Sequence, residues 1–397
     1  MLKSGSSGDS NGKMEGGEPV LRSLLHEKIK KSPHGRIPFS EFMSLCLYHP
    51  TWGYYERRDR KIGKEGDFFT NSSVGSVYGE IWADRWINDW NLLFLRPEDP
   101  HILVEIGGGD GRFAEQVLNR IKSSSPHVYD RLLLLFVEGS SYHREMAAER
   151  LREHERHLLL VKGVDELPEW LAENPALVYS NELFDALPVE RVKRMGNELL
   201  ECWITWSEEG RLQEIWIPLE NQSIANYLTE MNIILPRGHE MEIPLVMREV
   251  YWAILRSFQR GILYTVDYGY LFEEVLHPLH RKGTLMGYRQ HRHMDHFYDA
   301  PGEMDITSHV QFEALIRWGE TSGLKTFSFL TQREWLLQNG ILERLVAHQD
   351  RDPFSPHARR NRAITQLILP GGMGDTFRIL VQGKGVNLTQ EKWNGDE

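Results

Sequence analysis

From residue 101 the chain alternates short apolar runs with amphipathic stretches. The runs are Ile102–Ile106, Leu132–Val137, Leu158–Val161 and Ala176–Tyr179, and Ile262–Val266 resumes the series. The stretches between them, 112–122, 141–153 and 167–174, space their apolar residues as helices do. Strand–helix alternation of this kind predicts a parallel sheet with right-handed crossovers. Residues 186–219 break the rhythm. Cys202-Trp203-Ile204-Thr205-Trp206 and Ile215-Trp216-Ile217 alternate as in an antiparallel meander, and 222–260 read as helix again. Thr326–Leu330 and Phe377–Val381 read as strands separated by two helical segments, and should pair as an antiparallel hairpin at the sheet edge. Ahead of the sheet, 19–31 and 39–48 predict short amphipathic helices, the second entered through Pro38 and ended near Pro50. A longer helix is expected over 74–94, with Val74, Val77, Tyr78, Ile81, Trp82, Arg85 and Trp86 at helical spacing. The expected architecture is α/β: a doubly wound sheet, an N-terminal helical layer, and an insertion after the fourth strand.

Composition narrows the function classes. With 41% apolar residues there is ample material for a core. A formal charge of −11 argues against a nucleic-acid or anionic-membrane binder, which needs basic stripes for phosphate contacts. No apolar run approaches the roughly 18 residues that span a bilayer. Cys46 and Cys202 make neither a disulfide framework nor a zinc knuckle. Residues 1–18 have almost nothing to bury and read as a disordered tail, with 386–397 as a second one. The first tail lacks the apolar centre of a signal peptide, and Asp9, Glu15 and Glu18 are foreign to a transit peptide. These features set the expectation of a cytoplasmic protein, in a bacterial cytosol, or of a chain given without its targeting segment. Twelve Trp residues beside so much negative charge are unusual.

Candidate chemistry begins where the first run ends. Val104-Glu105-Ile106-Gly107-Gly108-Gly109-Asp110-Gly111-Arg112-Phe113 closes a strand and opens a helix. Gly107, Gly109 and Gly111 permit a tight turn and close approach of a ligand to the backbone. The turn could equally be a βα connection that binds nothing. It lacks the Gly-Lys-Ser/Thr ending of a phosphate loop, and its G-x-G-x-G spacing is not that of a dinucleotide turn. Glu105, ahead of the glycines, suits a cationic ligand such as an ammonium or a sulfonium. The next strand ends in Glu138, where a carboxylate can accept both ribose hydroxyls. The third is followed by Asp165-Glu166-Leu167-Pro168, suited to an adenine edge. In this order the set reads as S-adenosylmethionine (SAM) on a class I (Rossmann-like) SAM-dependent methyltransferase sheet.

The fourth run leads into Ser180-Asn181-Glu182-Leu183-Phe184-Asp185-Ala186-Leu187-Pro188. Ligands of open α/β sheets sit beyond the carboxyl ends of the strands, so this loop should face the methyl donor. Methyl transfer is an in-line displacement that asks the enzyme mainly to position a nucleophile. A guanidinium acceptor must approach a sulfonium. At about 4 Å, two cations repel by roughly 4 kcal/mol at an effective dielectric near 20. Glu182 and Asp185 are carboxylates placed to offset that repulsion and aim the nitrogen, with Asn181 positioning the acceptor. Acids here could instead cap a helix N-terminus.

With these residues in hand, the chain resembles the MidA-like family of SAM-dependent methyltransferases, which includes a mitochondrial assembly factor that methylates an arginine on a respiratory complex I subunit. The resemblance runs from about Tyr54 to Gly383. It rests on Gly63, Gly66-Asp67-Phe68-Phe69-Thr70, Tyr78-Gly79-Glu80, the glycine turn, Asn181–Val189, Asp267-Tyr268-Gly269, Gly283-Thr284-Leu285 and Pro301–Val310. It implies SAM binding by the glycine turn and Glu138, under a covering segment that includes Gly66, Asp67, Phe68 and Thr70. It also implies that Asp267-Tyr268-Gly269, and Asp305 with His309, stand near the mouth of the site. Asp267 and His309 are thereby secondary candidates for acceptor binding or proton removal. One departure from the family pattern follows Thr70. Asn71-Ser72-Ser73-Val74-Gly75 stands where Ser/Ala-Pro-Glu and a hydroxyl residue are usual, so a carboxylate near the entrance is missing.

The domains expected are 19–95 as helical layer and cofactor-covering segment, and 96–385 as the methyltransferase domain with an insertion over about 196–260. The expected function is methyl transfer from SAM to a protein nitrogen, that of arginine, with a protein substrate as partner, no nucleic acid and no membrane insertion; a homo-oligomer is left open. Two alternatives stand beside it: a SAM-binding assembly protein that has lost catalysis, and a small-molecule methyltransferase. A third, zinc hydrolysis, rests on His291-Arg292-His293-Met294-Asp295-His296, which matches H-x-H-x-D-H. That motif follows a complete glycine-turn sheet instead of preceding one, so no metal is expected.

Overall fold

A computed structural model describes residues 17–57, 74–93, 99–289, 292–294, 297–350 and 352–386. The first helices are α1 (Gly17–Lys31), α2 (Phe39–Tyr48) and α3 (Val77–Leu92). Two more, α4 (Arg112–Ser124) and α5 (Ser141–Arg150), connect the first strands of the sheet. The apolar runs become strands β2 (His101–Ile106), β3 (Leu132–Val137), β4 (Leu158–Val161), β5 (Pro175–Asn181) and β10 (Arg260–Tyr270), after a short β1 (Arg36–Pro38). They pair in parallel; after the short β11 (Met286–Arg289), β12 (Arg292–Met294), β13 (Asp305–Thr307) and β14 (Val310–Gln311), β15 (Leu324–Thr331) with β16 (Phe377–Lys384) completes one sheet in the order β15-β16-β10-β5-β2-β3-β4. The expected hairpin is present, with β16 antiparallel to both β10 and β15. All six residues of β2 are buried, as a strand covered by helices on both faces requires.

Register brings the chemistry together. Ile106 lies opposite Val137 on one side and Ser180 on the other. The glycine turn, Glu138 and the Glu182 loop therefore leave the sheet side by side. From β2 the chain winds outward to β3 and β4, then returns to β5 on the other flank. That is the crevice where open α/β sheets bind ligands.

The insertion builds a second sheet. Strand β7 (Glu198–Trp206) pairs with β8 (Leu212–Pro218) and with β6 (Glu190–Met195), while β1 joins it from the N-terminal layer. Strand β9 (Glu240–Ile243) extends the sheet beside β6 and corrects the reading of 222–260 as continuous helix. Only α6 (Gln222–Glu230) and α7 (Leu245–Ser257) are helical there. The signal for β9 was misleading because all four of its residues are buried, the acids included. Glu240 pairs with Arg191 and Lys193, and Glu242 accepts from the Thr284 N–H and hydroxyl.

Helices α1 and α2 pack on this second sheet. Leu21, Leu25, Phe42, Met43 and Cys46 share a core with Val189, Cys202, Ile204 and Ile306. Helix α3 goes instead to the central sheet. Its Trp82 is fully buried, stacks on Trp335 of α8 (Gln332–Gln338) with ring centroids 3.9 Å apart, and meets Tyr179 and Tyr264 edge-on.

Candidate active site at the carboxyl ends of the central strands

A cavity of about 430 Å³ opens where β2, β3 and β5 end. Its wall takes Glu105, Gly107, Gly108 and Gly109 from the first turn, and Glu138, Gly139 and Ser140 from the second. Asn181, Glu182, Leu183 and Asp185 come from the fourth, with Tyr268 and Asp305 beside them. The size is that of a small-molecule site.

The glycines are required by geometry. Gly107 and Gly109 have φ of 74° and 58°, where a side chain is strained. A Cβ on Gly108 would stand 2.3 Å from the Phe136 ring, so the turn lies flat against β3. Gly109 donates its N–H to Glu138 Oε2 at 2.9 Å, and Ser140 donates to Oε1 at 2.8 Å. Glu138 is thus clamped by backbone on both oxygens, with lone pairs left toward the cavity. Burial raises its pKa, and those two N–H groups offset part of the rise. Glu105 is 4% exposed and its Oε2 has no hydrogen-bond partner. Burial, then the charges of Glu138 and Asp110, push its carboxyl well above the usual range.

The donor set fits SAM. There is a glycine cradle, a carboxylate held for a diol, and a buried acid without a partner for a cationic group. Glu138→Ala should weaken SAM about 10- to 100-fold, the scale of two hydrogen bonds to a charged acceptor, as measured by calorimetry. A second expectation concerns protons. A carboxyl whose folded pKa is raised holds a proton that the unfolded chain loses near 4.5, so the empty fold loses stability as pH rises above that value. A cation beside Glu105 favours the carboxylate, so SAM affinity should rise with pH. Calorimetry in buffers of different ionisation enthalpy should show proton release that Glu105→Gln reduces.

The loop after β5 is strained at one residue. Glu182 has φ of 52°, a left-handed conformation costing about 1–2 kcal/mol for a side chain of this kind. It persists because the surroundings fix it. The Glu182 N–H donates to the Val266 carbonyl at 3.0 Å, Oε1 accepts from Asn181 Nδ2 at 2.9 Å, and Oε2 accepts from the Tyr268 hydroxyl at 2.6 Å. Burial raises its pKa. Asp185, 3% exposed, is pushed well above the carboxylate range by burial and then by Asp267, Glu182 and Asp305; its Oδ1 has no hydrogen-bond partner.

Several expected residues stand elsewhere. Asp267 is fully buried behind the loop, where Oδ2 accepts from the Leu183 and Phe184 N–H groups and Oδ1 from Tyr268. Burial pushes it up to about 8. It shapes the loop and does not line the cavity. His309 also lies off the wall: its N–H donates to Thr284 Oγ1, its ring sits 4.8 Å from that of Tyr270, and burial lowers it to about 4. A role touching an acceptor does not suit either position. Glu166 turns back to accept from the Lys162 N–H, leaving Lys162, Gly163 and Val164 on the wall where an adenine contact was expected of it. Gly111 starts α4, and a Cβ there would press on Ala147 at 3.1 Å, so packing explains it. Gly66, Asp67, Phe68, Thr70 and the altered 71–73 lie outside the described residues, as do His291, Asp295 and His296. Arg292–Met294 form a short strand.

What the sequence concealed is the roof. Tyr48 and Tyr55 reach over the cavity from the N-terminal layer with ring centroids 5.5 Å apart. The Tyr48 hydroxyl donates to the Ala186 carbonyl at 2.9 Å, and that of Tyr55 to Asp305 Oδ1 at 2.8 Å. Tyr48 carried no signal, since it reads as the last apolar residue of an amphipathic helix. Tyr55 stands in the aromatic run Trp52-Gly53-Tyr54-Tyr55, which reads from sequence as packing the N-terminal layer onto the sheet, with a lid role left open.

Known proteins agree with this geometry. A family described as S-adenosyl-L-methionine-dependent methyltransferases matches residues 84–330. Mitochondrial proteins named protein arginine methyltransferase NDUFAF7 are similar over most of the chain. The Rattus norvegicus protein is 27% identical, covering 91% of this chain and 83% of its own length. The Drosophila melanogaster homolog is 24% identical, covering 95% and 88%. Among solved structures, a Burkholderia thailandensis protein with S-adenosyl-homocysteine bound superposes with a TM-score of 0.82 at 23% identity, over 94% of each chain. The family match spans more than half of the chain, on a sheet of the matching topology: the protein belongs to the MidA-like family of SAM-dependent methyltransferases.

Proposed function

We propose that the chain transfers the methyl group of SAM to a guanidinium nitrogen of a protein arginine. The carrying observation is the acidity of the cavity next to the loop after β5. Glu182, Asp185 and Asp305 line it with the hydroxyls of Tyr48, Tyr55 and Tyr268, and Asp185 Oδ1 has no partner. Among the described residues, the basic ones on the lining, His143 and Lys162, belong to the segments after β3 and β4. Buried carboxylates are costly to ionise, and a cation entering the cavity relieves that cost.

SAM supplies an electrophilic methyl on a sulfonium. The chain's part is electrostatic and geometric. Glu182, fixed by Tyr268 and Asn181, presents a carboxylate in one orientation. Asp185 supplies a second charge, and an incoming guanidinium draws both groups from their raised pKa values into the ionised form. Two charges cancel the repulsion between the reacting cations. The proton released can pass to Asp185 or to water, so no strong base is needed. The names of the relatives support arginine as the acceptor.

The cytoplasm is our reading of its compartment, supported by buried, unpaired Cys46 and Cys202. Among the described residues no helix is long and apolar enough to cross a membrane. Incubation with labelled SAM and total lysate, followed by hydrolysis of the labelled proteins, tests the assignment. Label in methylarginine is expected; label confined to small molecules would overturn it, and SAM binding with no labelled product would favour an assembly protein without catalysis.

A further inference from the structure

The arginine assignment leaves one wall of the acceptor subsite unexplained. Asp305 opens strand β13 (Asp305–Thr307), far in sequence from Glu182 and Asp185, and is 3% exposed on the cavity lining. It is tied to both neighbouring walls. The Ser308 N–H, three residues on, donates to the Asp185 carbonyl at 2.9 Å. On the other side Tyr55 donates its hydroxyl to Asp305 Oδ1 at 2.8 Å.

Tyr55 is itself connected to the cofactor end. Its carbonyl accepts from Ser140 Oγ at 3.0 Å, and the Ser140 N–H donates to Glu138 Oε1. A hydrogen-bonded path thus runs from the carboxylate suited to the ribose, through the roof, to Asp305. The charge of Asp305 is felt at Asp185, Tyr48 and Tyr55, each of which it pushes upward after the larger effect of burial.

A guanidinium is planar and offers five N–H donors in a fixed fork, whereas an ammonium offers three from one point. Two carboxylates on one loop can serve one edge of that fork. The remaining edge needs an acceptor from another wall. We propose that Asp305 is that acceptor, a specificity-determining carboxylate that binds the second edge of the guanidinium, and that Tyr55 is its positioning residue. This rests on the arginine reading and goes further by naming what selects arginine over lysine.

The test uses the full chain saturated with S-adenosyl-homocysteine and two probes, N-acetyl-arginine amide and N-acetyl-lysine amide, in calorimetry. The wild type should bind the arginine probe at least about tenfold better than the lysine probe, the scale of one extra charge-assisted hydrogen bond. Asp305→Asn should remove most of that preference. Asp305→Glu, which keeps the charge, should restore arginine binding to within about threefold. Tyr55→Phe should weaken it about three- to fivefold in the wild type and add nothing beside Asp305→Asn, as expected of a residue that acts through Asp305. S-adenosyl-homocysteine affinity and the unfolding midpoint should stay at wild-type values throughout. Unchanged probe selectivity in Asp305→Asn, or additive effects of Tyr55→Phe, would overturn the proposal. If the wild type labels arginine in lysate while Asp305→Asn behaves as wild type, Asp305 alone is wrongly assigned. If the wild type neither labels arginine nor prefers the arginine probe, the arginine reading fails and this inference with it.

Discussion

Glu182→Gln should lower the rate of methyl transfer about a thousandfold while leaving SAM affinity within about threefold. The magnitude follows from what the carboxylate offsets. Two cations about 4 Å apart cost roughly 4 kcal/mol at an effective dielectric near 20, and each 1.36 kcal/mol on a barrier is tenfold in rate. The substitution is close to isosteric. A glutamine can still meet the Asn181 amide and the Tyr268 hydroxyl that hold the glutamate, so the left-handed turn at 182 has no reason to relax. What disappears is the charge. Asp185→Asn should act in the same direction by a smaller factor, because its Oδ1 lacks the fixed partners that aim Glu182. Single-turnover kinetics separates the chemical step from binding. A rate within fivefold of the wild type would show that the acceptor is not a cation, or that it binds elsewhere.

The second large effect is on stability. Trp82→Ala should destabilise the fold by about 3–5 kcal/mol in denaturant unfolding, as expected for deleting a large ring from a packed core. Trp82 projects from α3 between α8 and the central sheet, stacked on Trp335 and edge-on to Tyr179 and Tyr264. Its indole nitrogen has no hydrogen-bond partner, so the ring contributes packing and no polar bond is lost with it. Trp82→Phe should accordingly cost less than half as much. The damage should also reach the cavity. Tyr179 leans on Trp82, and its hydroxyl donates to Asn181 Oδ1 at 3.4 Å. A loss under 1 kcal/mol would mean that the sheet collapses around the vacancy.

Much of this molecule could be read from residue order. The central strands are continuous apolar runs because helices cover both faces of the sheet. The glycine turn was visible because only glycine tolerates its backbone angles. Glu105, Glu138, Asn181, Glu182 and Asp185 follow from one rule, that ligands of such sheets meet the residues at and just past the carboxyl ends of the strands. Less readable were features made by distant segments. Asp267 sits next to the loop it serves only because β10 lies beside β5. From sequence alone, an acid at a strand end looks the same whether it faces ligand or backbone. Strand β9 was misread since both its glutamates are buried, Glu240 by ion pairs and Glu242 by hydrogen bonds from Thr284, as four residues of sequence do not reveal. The Trp surplus has a structural answer in part: Trp82, Trp86 and Trp90 build the contact between α3 and the central sheet. The acidity of the chain has a chemical one at the cavity.

Among the described residues the cavity's wall draws on the roof at 48–56, Tyr78, the turns at 105–187, Val250, Tyr268 and Asp305. A ribosome delivers these in order. Glycines, Glu138 and the Glu182 loop all exist well before Asp305 is made. The turns suited to the methyl donor are therefore encoded ahead of Tyr268 and Asp305, the last residues of the wall to be made. A nascent or truncated chain lacking its last third lacks Tyr268, Asp305 and the strands β15 and β16 that complete the central sheet. Reactivity in this architecture arrives last, with the finished fold.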